Sequence, residues 1–328
     1  MDTRQSRPTL AVLGTRFDDF EVERRVIGDV DIVSGPGRDQ AEVLQIASGC
    51  DVILAGAVPI FDTITLEQLG CRGIVRLGVG VETIDLDAAE RLGMWVCHVP
   101  DYGTEAVAIH TVSLVLASIR RIPMSDRRIR TATWGLGGLR PLHLPGSLTV
   151  GLVGYGRIGR RVGQLLSGLG FGPILVADPF LGPEADLEPG CELVGLEPLL
   201  AASDIVSLHT PPAGDGPLIG AAQLSLMKPG AVLINTARGA LVDTGALIDA
   251  LAGGAPAVAA LDVFQPEPPD MAVFETVSDS VILTPHMAWY TEESELELRQ
   301  KGAAEAKRII EGSTPLHPVA SPRLEPTR

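Results

Sequence analysis

Three segments of the chain carry side chains that together could move a proton beside an anion: "NTARGALVD" with Arg238, "LDVFQPEP" with Asp262 and Glu267, and "TPHMAWY" with His286. Each has an ordinary explanation when taken alone. An arginine can be a surface charge, a glutamate a solvated loop residue, a histidine a satisfied core side chain. Together they supply what reduction of a 2-oxo acid requires: a cation to hold the carboxylate and polarise the carbonyl, an acid to protonate the developing alkoxide, and a carboxylate to orient that acid. Each segment follows a strand-like apolar run, and open α/β sheets bind ligands outside the C-terminal ends of their strands.

A fourth segment, "LTVGLVGYGRIGRRVGQLL", places Gly154, Gly156 and Gly159 in the spacing GxGxxG. The string alone is weak in a chain with 37 glycines. Its context is specific, because a strand-like run precedes it, a helical pattern follows, and "PILVADP" brings Asp178 to the end of the next strand. Glycines there permit a tight turn, close approach of the backbone to a pyrophosphate and tight helix packing, while the helix N-terminus offers its N–H groups to the anion. The pyrophosphate is expected over Gly156 and Arg157, with Asp178 accepting from the adenosine ribose hydroxyls. Pro179 and Phe180 follow Asp178 where an arginine would be needed to balance a 2′-phosphate, so NAD is favoured over NADP.

The elements that must position these residues read as two alternating series. "TLAVLG", "DVDIV", "DVILAG", "GIVRLG" and "MWVCHV" are strand-like, with helical patterns such as "DQAEVLQIAS" between them. "TEAVAIHTVSLVLASIRRI" is one long apolar helix acting as connector, and "ATWGLGGLRPLHLPGS" is a loop. The second series runs through "LTVGLVG", "PILVAD", "SDIVSLH", "GAVLINT", "PAVAALDVF" and "SVILTP", before a last helix in "EESELELRQKGAAEAKRIIEG". The expected fold class is α/β with two doubly wound parallel sheets.

Length and charge fit this reading. At 328 residues the chain should form about two domains of roughly 100 to 200 residues each. A formal charge of −15 repels phosphate backbones and anionic membranes, so nucleic acid is not an expected partner. No run approaches the roughly 20 apolar residues of a membrane span and no secretory leader is read, so the chain is expected to be soluble and cytoplasmic. Cys50, Cys71, Cys97 and Cys191 have no metal-ligand spacing and are expected to be buried, reduced thiols, with no metal site. The Pro-rich tail "STPLHPVASPRLEPTR" is expected to end in a disordered stub. His98, His110, His143 and His317 have no partner pattern and read as structural or surface residues, while His209 is expected to shape the adenine pocket.

The order GxGxxG, NTARG, LDVxxxEP, TPH resembles the D-isomer-specific 2-hydroxyacid dehydrogenase family over nearly the whole chain. That resemblance implies a Rossmann NAD-binding domain over 101–291 and a flavodoxin-like substrate domain from 1–100 with 292–328, with a cleft between them and a homodimer built around the cofactor domain. It implies Arg238 on the substrate carboxylate and carbonyl, His286 as acid/base paired with Glu267, and Asp262 on the nicotinamide carboxamide. The cofactor set is completed by Ile158, Thr210, Pro211, Thr236, Ala237 and Val107. "VRLGVGVETIDLDAA" matches the segment whose Val79 and Gly80 amides cradle the carboxylate. Arg76 matches an arginine of the phosphoglycerate dehydrogenase and C-terminal-binding protein branches, and reads equally as a second anion clamp or a structural ion pair. "PHMAWYTEES" resembles the C-terminal-binding protein branch and makes Trp289 a wall of the substrate pocket, a bulk that counts against phosphoglycerate. "TITL" at Thr63 to Leu66 is similar to the same branch, with Phe61 and Asp62 where tyrosine and histidine are common; Phe61 is expected in the substrate pocket. The implied activity is NAD-dependent reduction of a small 2-oxo acid. The alternatives are an NAD(H)-sensing binding protein of the C-terminal-binding type and a short-type phosphoglycerate dehydrogenase.

Overall fold

The computed structural model describes residues 7–212, 214 and 216–322, and divides into two compact units. One contains the chain through Gly103 together with the chain from Thr291 onward; the other is Thr104–Tyr290.

In the first unit, strands Thr9–Leu13 (β1), Asp31–Gly35 (β2), Val52–Ala55 (β3), Gly73–Arg76 (β4) and Trp95–His98 (β5) pair in parallel, in the order β5-β4-β3-β1-β2. This is the flavodoxin-like order, with the reversal at β1/β3. The central β3 is buried along its whole length, as a strand covered on both faces must be. One face packs Ala11, Leu13, Ile53, Ala55, Ile74 and Val96 under helices Gln40–Ala47, Thr63–Leu69 and Leu86–Arg91. Each of those helices starts where an aspartate (Asp39, Asp62, Asp85) accepts from a first-turn amide, an N-cap that explains its boundary. Asp62 also accepts from the Thr65 hydroxyl at 2.6 Å, so its departure from the branch pattern serves a helix start.

The last helix, Glu292–Ile310, returns to the first unit. Thr291 caps it in a reciprocal bond with Ser294. Gly302 lets it lie on the sheet, because a Cβ there would stand 2.4 Å from Leu77. Its firmest tie is Arg299, whose guanidinium donates to both oxygens of Glu23 at 2.9 and 2.8 Å and to the Asp19 carbonyl at 2.7 Å; both members of the pair are buried.

In the second unit, Val150–Val153 (β6), Ile174–Ala177 (β7), Cys191–Leu193 (β8), Ile205–Leu208 (β9), Val232–Asn235 (β10), Val258–Leu261 (β11) and Val281–Leu283 (β12) form a parallel sheet in the order β12-β11-β10-β9-β6-β7-β8. Alternate residues of one strand feed separate cores. Val150, Leu152, Ile174 and Val176 face Val112, Val115, Val162 and Leu166, while Val153, Leu175 and Leu208 face Leu199, Leu224 and Leu247. The sheet is thus covered on one face by helices Thr104–Ile119 and Arg157–Gly168, and on the other by Leu196–Ala202, Ala221–Leu226 and Thr244–Gly253. No single helix among the described residues is long and apolar enough to cross a membrane.

Three expectations are corrected. The long connector ends at Ile119 and a second helix, Ile122–Arg130, begins after Arg121, whose φ is +52°. Pro123 lacks an N–H and its ring would collide with the preceding turn, so the helix cannot run through it. The tail contributes a strand, Pro318–Ala320 (β13), antiparallel to β5; the expected stub at 323–328 lies outside the described residues. Cys50, Cys71 and Cys97 are buried, and burial pushes Cys71 and Cys97 up to about 12, but Cys191 is only half-buried because β8 is an edge strand. That three-residue strand has no apolar run to announce it.

Removing one partner of an enclosed ion pair leaves the other charge uncompensated, whereas replacing both by apolar groups does not. Glu23→Ala is expected to lower the unfolding free energy by about 3–5 kcal/mol, and Glu23→Leu combined with Arg299→Met to recover most of it. Equal losses in single and double variants, by denaturant titration, would refute the assignment.

Candidate active site

The phosphate loop assigns a separate task to each of its glycines. Gly154 has φ +91° and lies so close to the next strand that a Cβ would stand 2.6 Å from the His209 carbonyl oxygen. At Gly159 a Cβ would meet the Gly154 carbonyl oxygen at 2.2 Å, so this glycine sets how closely helix Arg157–Gly168 approaches β6. Around Gly156 a Cβ would meet nothing within 4 Å. Gly156 is also the N-cap of that helix and offers no capping side chain, which leaves the helix start open to an anion. The loop lies at the switch point between β6 and β9, where the strand order reverses.

Asp178, at the end of β7, accepts from the Tyr155 amide at 2.8 Å and the Phe180 amide at 2.9 Å, which holds its carboxylate beside the loop. Pro179 and Phe180 are exposed, as are Arg157 and Pro211, while Ile158 and Thr210 are half-buried. His209 accepts from or donates to the Ser207 hydroxyl at 2.9 Å, and burial pushes its ring down to about 4, so it is neutral at ordinary pH. These features fit a dinucleotide, with room over Gly156 for the pyrophosphate and a carboxylate for the ribose.

Arg238, Glu267 and His286 follow β10, β11 and β12, three adjacent parallel strands, and so share one end of the sheet. The Asn235 side chain folds the first loop, donating to the Arg238 carbonyl at 2.8 Å and accepting from the Ala237 amide at 3.1 Å. Arg238 donates to the Ala237 carbonyl at 2.8 Å. Gly239 is required because a Cβ there would lie 2.0 Å from the backbone of Phe264. In the second loop the Phe264 amide donates to Glu267 Oε1 at 2.9 Å, leaving Oε2 to accept from His286 Nδ1 at 2.7 Å. With Nδ1 donating, Nε2 of His286 is the nitrogen left to face a reactant. His286 has φ +50°, a left-handed conformation that a residue with a side chain adopts under constraint.

The constraint comes from Asp262. Its side chain is fully buried and accepts from the Thr284 hydroxyl at 2.6 Å, the Met287 amide at 2.9 Å and the Ala288 amide at 2.9 Å, while its own carbonyl accepts from the His286 amide at 2.8 Å. The carboxylate expected on the nicotinamide is thus directed into the loop that carries His286. His110, read from sequence as having no partner, stands beside this cluster with Nε2 3.2 Å from Thr284 Oγ1 and 3.7 Å from Asp262 Oδ1. One residue on, Thr111 donates to the Val107 carbonyl at 2.8 Å and lies 2.9 Å from the Thr236 hydroxyl. The sequence carries no local signal for these contacts, which span 125 and 174 residues. Trp289 is half-buried and packs edge-on against Tyr290 at 5.5 Å.

In the first unit, Phe61, expected in the substrate pocket, is completely buried among core side chains, its backbone bridged to Ile84. Arg76, at the end of β4, donates to the Leu77 carbonyl and lies over Gly78, whose φ is +140°. Val99 donates to the Gly78 carbonyl at 2.9 Å and His98 Nδ1 to the Val79 carbonyl at 2.8 Å. Three successive carbonyls are thereby held, while the amides of Val79 and Gly80 make no hydrogen bond among the described residues. Among those residues no three His, Cys, Asp or Glu side chains converge as a metal site.

The two inner glycines separate folding from ligand binding. Gly156→Ala is expected to leave the melting temperature unchanged yet weaken NADH binding at least about tenfold, while Gly159→Ala should lose both. Fluorescence titration and thermal unfolding of the two variants check this; equal behaviour would contradict the roles given to them.

Residues 112–288 match the family model for the NAD-binding domain of D-isomer specific 2-hydroxyacid dehydrogenase. A D-3-phosphoglycerate dehydrogenase of Archaeoglobus fulgidus is 36% identical over 255 residues, covering 77% of this chain and 48% of that protein. A glyoxylate reductase of Aeropyrum pernix is 39% identical over 252 residues, 74% of this chain and 75% of the relative. The chain spans about half the length of the curated phosphoglycerate dehydrogenases it matches. Among solved structures, D-lactate dehydrogenase from Aquifex aeolicus complexed with NAD and lactic acid superimposes with a TM-score of 0.82 at 27% identity, covering 95% of this chain and 99% of that one. With its phosphate loop, its two doubly wound sheets and these matches, the chain belongs to the D-isomer-specific 2-hydroxyacid dehydrogenase family, whose cofactor is NAD.

Proposed function

We propose that this protein is an NAD-dependent D-2-hydroxyacid dehydrogenase that reduces a small 2-oxo acid. The observation that carries the reading is the 2.7 Å bond from His286 Nδ1 to Glu267, on a strand end next to the one that presents Arg238. Bound NADH supplies the hydride. Arg238 binds the substrate carboxylate and polarises the keto oxygen. In reduction His286 begins as the imidazolium, its Nδ1–H held by Glu267, and releases the Nε2 proton to the oxygen as negative charge develops there. In oxidation the neutral ring, protonated at Nδ1, takes the hydroxyl proton at Nε2. Family stereochemistry implies the D (R) product. Asp178, followed by Pro179 and Phe180, supports NAD over NADP, since no cation there balances a 2′-phosphate.

The likeness to phosphoglycerate dehydrogenases favours a second reading, in which the substrate carries a second anionic group and Arg76 meets it. Trp289, a bulky side chain three residues after His286, supports an apolar or flat substrate instead and aligns the chain with the C-terminal-binding branch. We further propose a cytoplasmic homodimer. The segment after the connector helices exposes Trp134 at 89%, Leu144 at 76% and Leu136 at 54%, an apolar stretch suited to a second copy, and four cysteines without a disulfide fit a reducing compartment.

NADH oxidation with neutral, aromatic, dicarboxylic and phosphorylated 2-oxo acids tests the reading. His286→Ala should lower kcat about a hundred- to ten-thousand-fold with little change in NADH affinity. Preference for an anionic side chain, lost in Arg76→Ala, selects the second substrate class. Tight NADH binding without turnover on any acid would replace the enzyme by a dinucleotide-sensing protein.

A further inference from the structure

The buried polar cluster behind His286 contains a second histidine that the proposed reaction does not use. We propose that His110 is a positioning residue: through the Thr284 hydroxyl and the Asp262 carboxylate it fixes the turn that directs the His286 ring at Glu267. The inference rests on the reading of His286 as the acid/base.

Proton accounting gives the bonds their direction. Two amides, of Met287 and Ala288, already donate to the Asp262 carboxylate, so its oxygens act as acceptors. The Thr284 hydroxyl, 2.6 Å from Oδ1, therefore commits its one proton to Asp262. The lone pairs of Thr284 Oγ1 are left to accept, and His110 Nε2 at 3.2 Å must be the donor. The sequence of contacts is His110 to Thr284 to Asp262 to the amides of Met287 and Ala288, and from there one residue to His286.

Each link restrains the next. Without the His110 donor, Thr284 can rotate away and its proton leaves an enclosed carboxylate that has few other donors. The adjacent His286 holds φ +50°, so slack in this turn is relieved by movement of His286 itself. His110 is also the cation-capable ring beside Asp262, at 3.7 Å, on a helix whose next residue, Thr111, reaches Thr236 at the cofactor strand end. The helix thus joins the ends of β10 and β12 through adjacent side chains.

The test uses the full-length protein with His110→Leu, which removes the donor, His110→Gln, whose amide nitrogen replaces Nε2, and Thr284→Val. Long-range proton–nitrogen spectra report which ring nitrogen of His286 is protonated, with its signal identified by its loss in His286→Gln. Wild type and His110→Gln should show one pattern, protonated at Nδ1, and His110→Leu a mixed one. With the best 2-oxo acid, kcat of His110→Leu should fall about tenfold while the Kd for NADH stays within about twofold, and adding Thr284→Val should reduce it no further. An unchanged His286 pattern in His110→Leu, a His110→Gln as impaired as His110→Leu, or additive losses in the double variant would each overturn the proposal. If His110→Leu does not fold, Thr284→Val decides, because it breaks the same link without changing volume. If no acid is turned over, the enzyme reading fails while the spectra still decide on His110.

Discussion

A carboxylate shut away from water must be met by donors, and Asp262 sits just past the end of β11 with no exposed surface. Its neighbours on that end of the sheet supply them. The loop after β12 is drawn back across β11 so that two of its amides and the Thr284 hydroxyl reach the carboxylate. That requirement dictates the path of the loop, and the path dictates the left-handed conformation of His286. Glu267 then lies within 2.7 Å because it leaves the same strand five residues after Asp262, on a loop whose own turn is fixed by the Phe264 amide. The geometry of the candidate site follows from satisfying one buried charge.

Adjacent positions show why glycine is needed where the loops cross. Gly239 permits the Arg238 loop to rest against the Phe264 backbone, which belongs to the Glu267 loop, so the cation and the carboxylate are set by a single contact. The phosphate loop follows the same logic, with Gly154 touching His209 and Gly159 touching Gly154, so that two strand ends and the following helix interlock at the switch point. Gly156 alone has open space around it, and its freedom concerns a ligand.

Much of this was legible in the sequence because its signals are local. Continuous apolar runs gave β3, β6, β9, β10 and β11, since strands covered on both faces need no polar alternation. The spacing of Gly154, Gly156 and Gly159 is likewise a property of a few consecutive residues. What escaped depends on distant partners or on very short elements. His110 and Thr284 are 174 residues apart, and Phe61 becomes core through a bridge to Ile84. β8 and β13, of three residues each, have too little pattern to be seen. Arg299 and its partner Glu23 are 276 residues apart.

The loop from Leu77 to Gly80 extends the argument to the first unit. A backbone that presents amides to an anion must dispose of its carbonyls elsewhere, since a carbonyl oxygen facing the same anion would repel it. Arg76, the Val99 amide and His98 take the carbonyls of Leu77, Gly78 and Val79 in turn. Arg76 and His98 are register partners on β4 and β5, so the sheet itself brings both side chains to the loop. In this arrangement Arg76 serves the loop's shape through the Leu77 carbonyl, a role separate from the anion clamp or ion pair expected of it. The same economy operates in the second unit, where Asp262 organises the turn that carries His286. In both units, residues behind the candidate contacts hold the backbone so that the groups in front need little reorganisation when a reactant arrives.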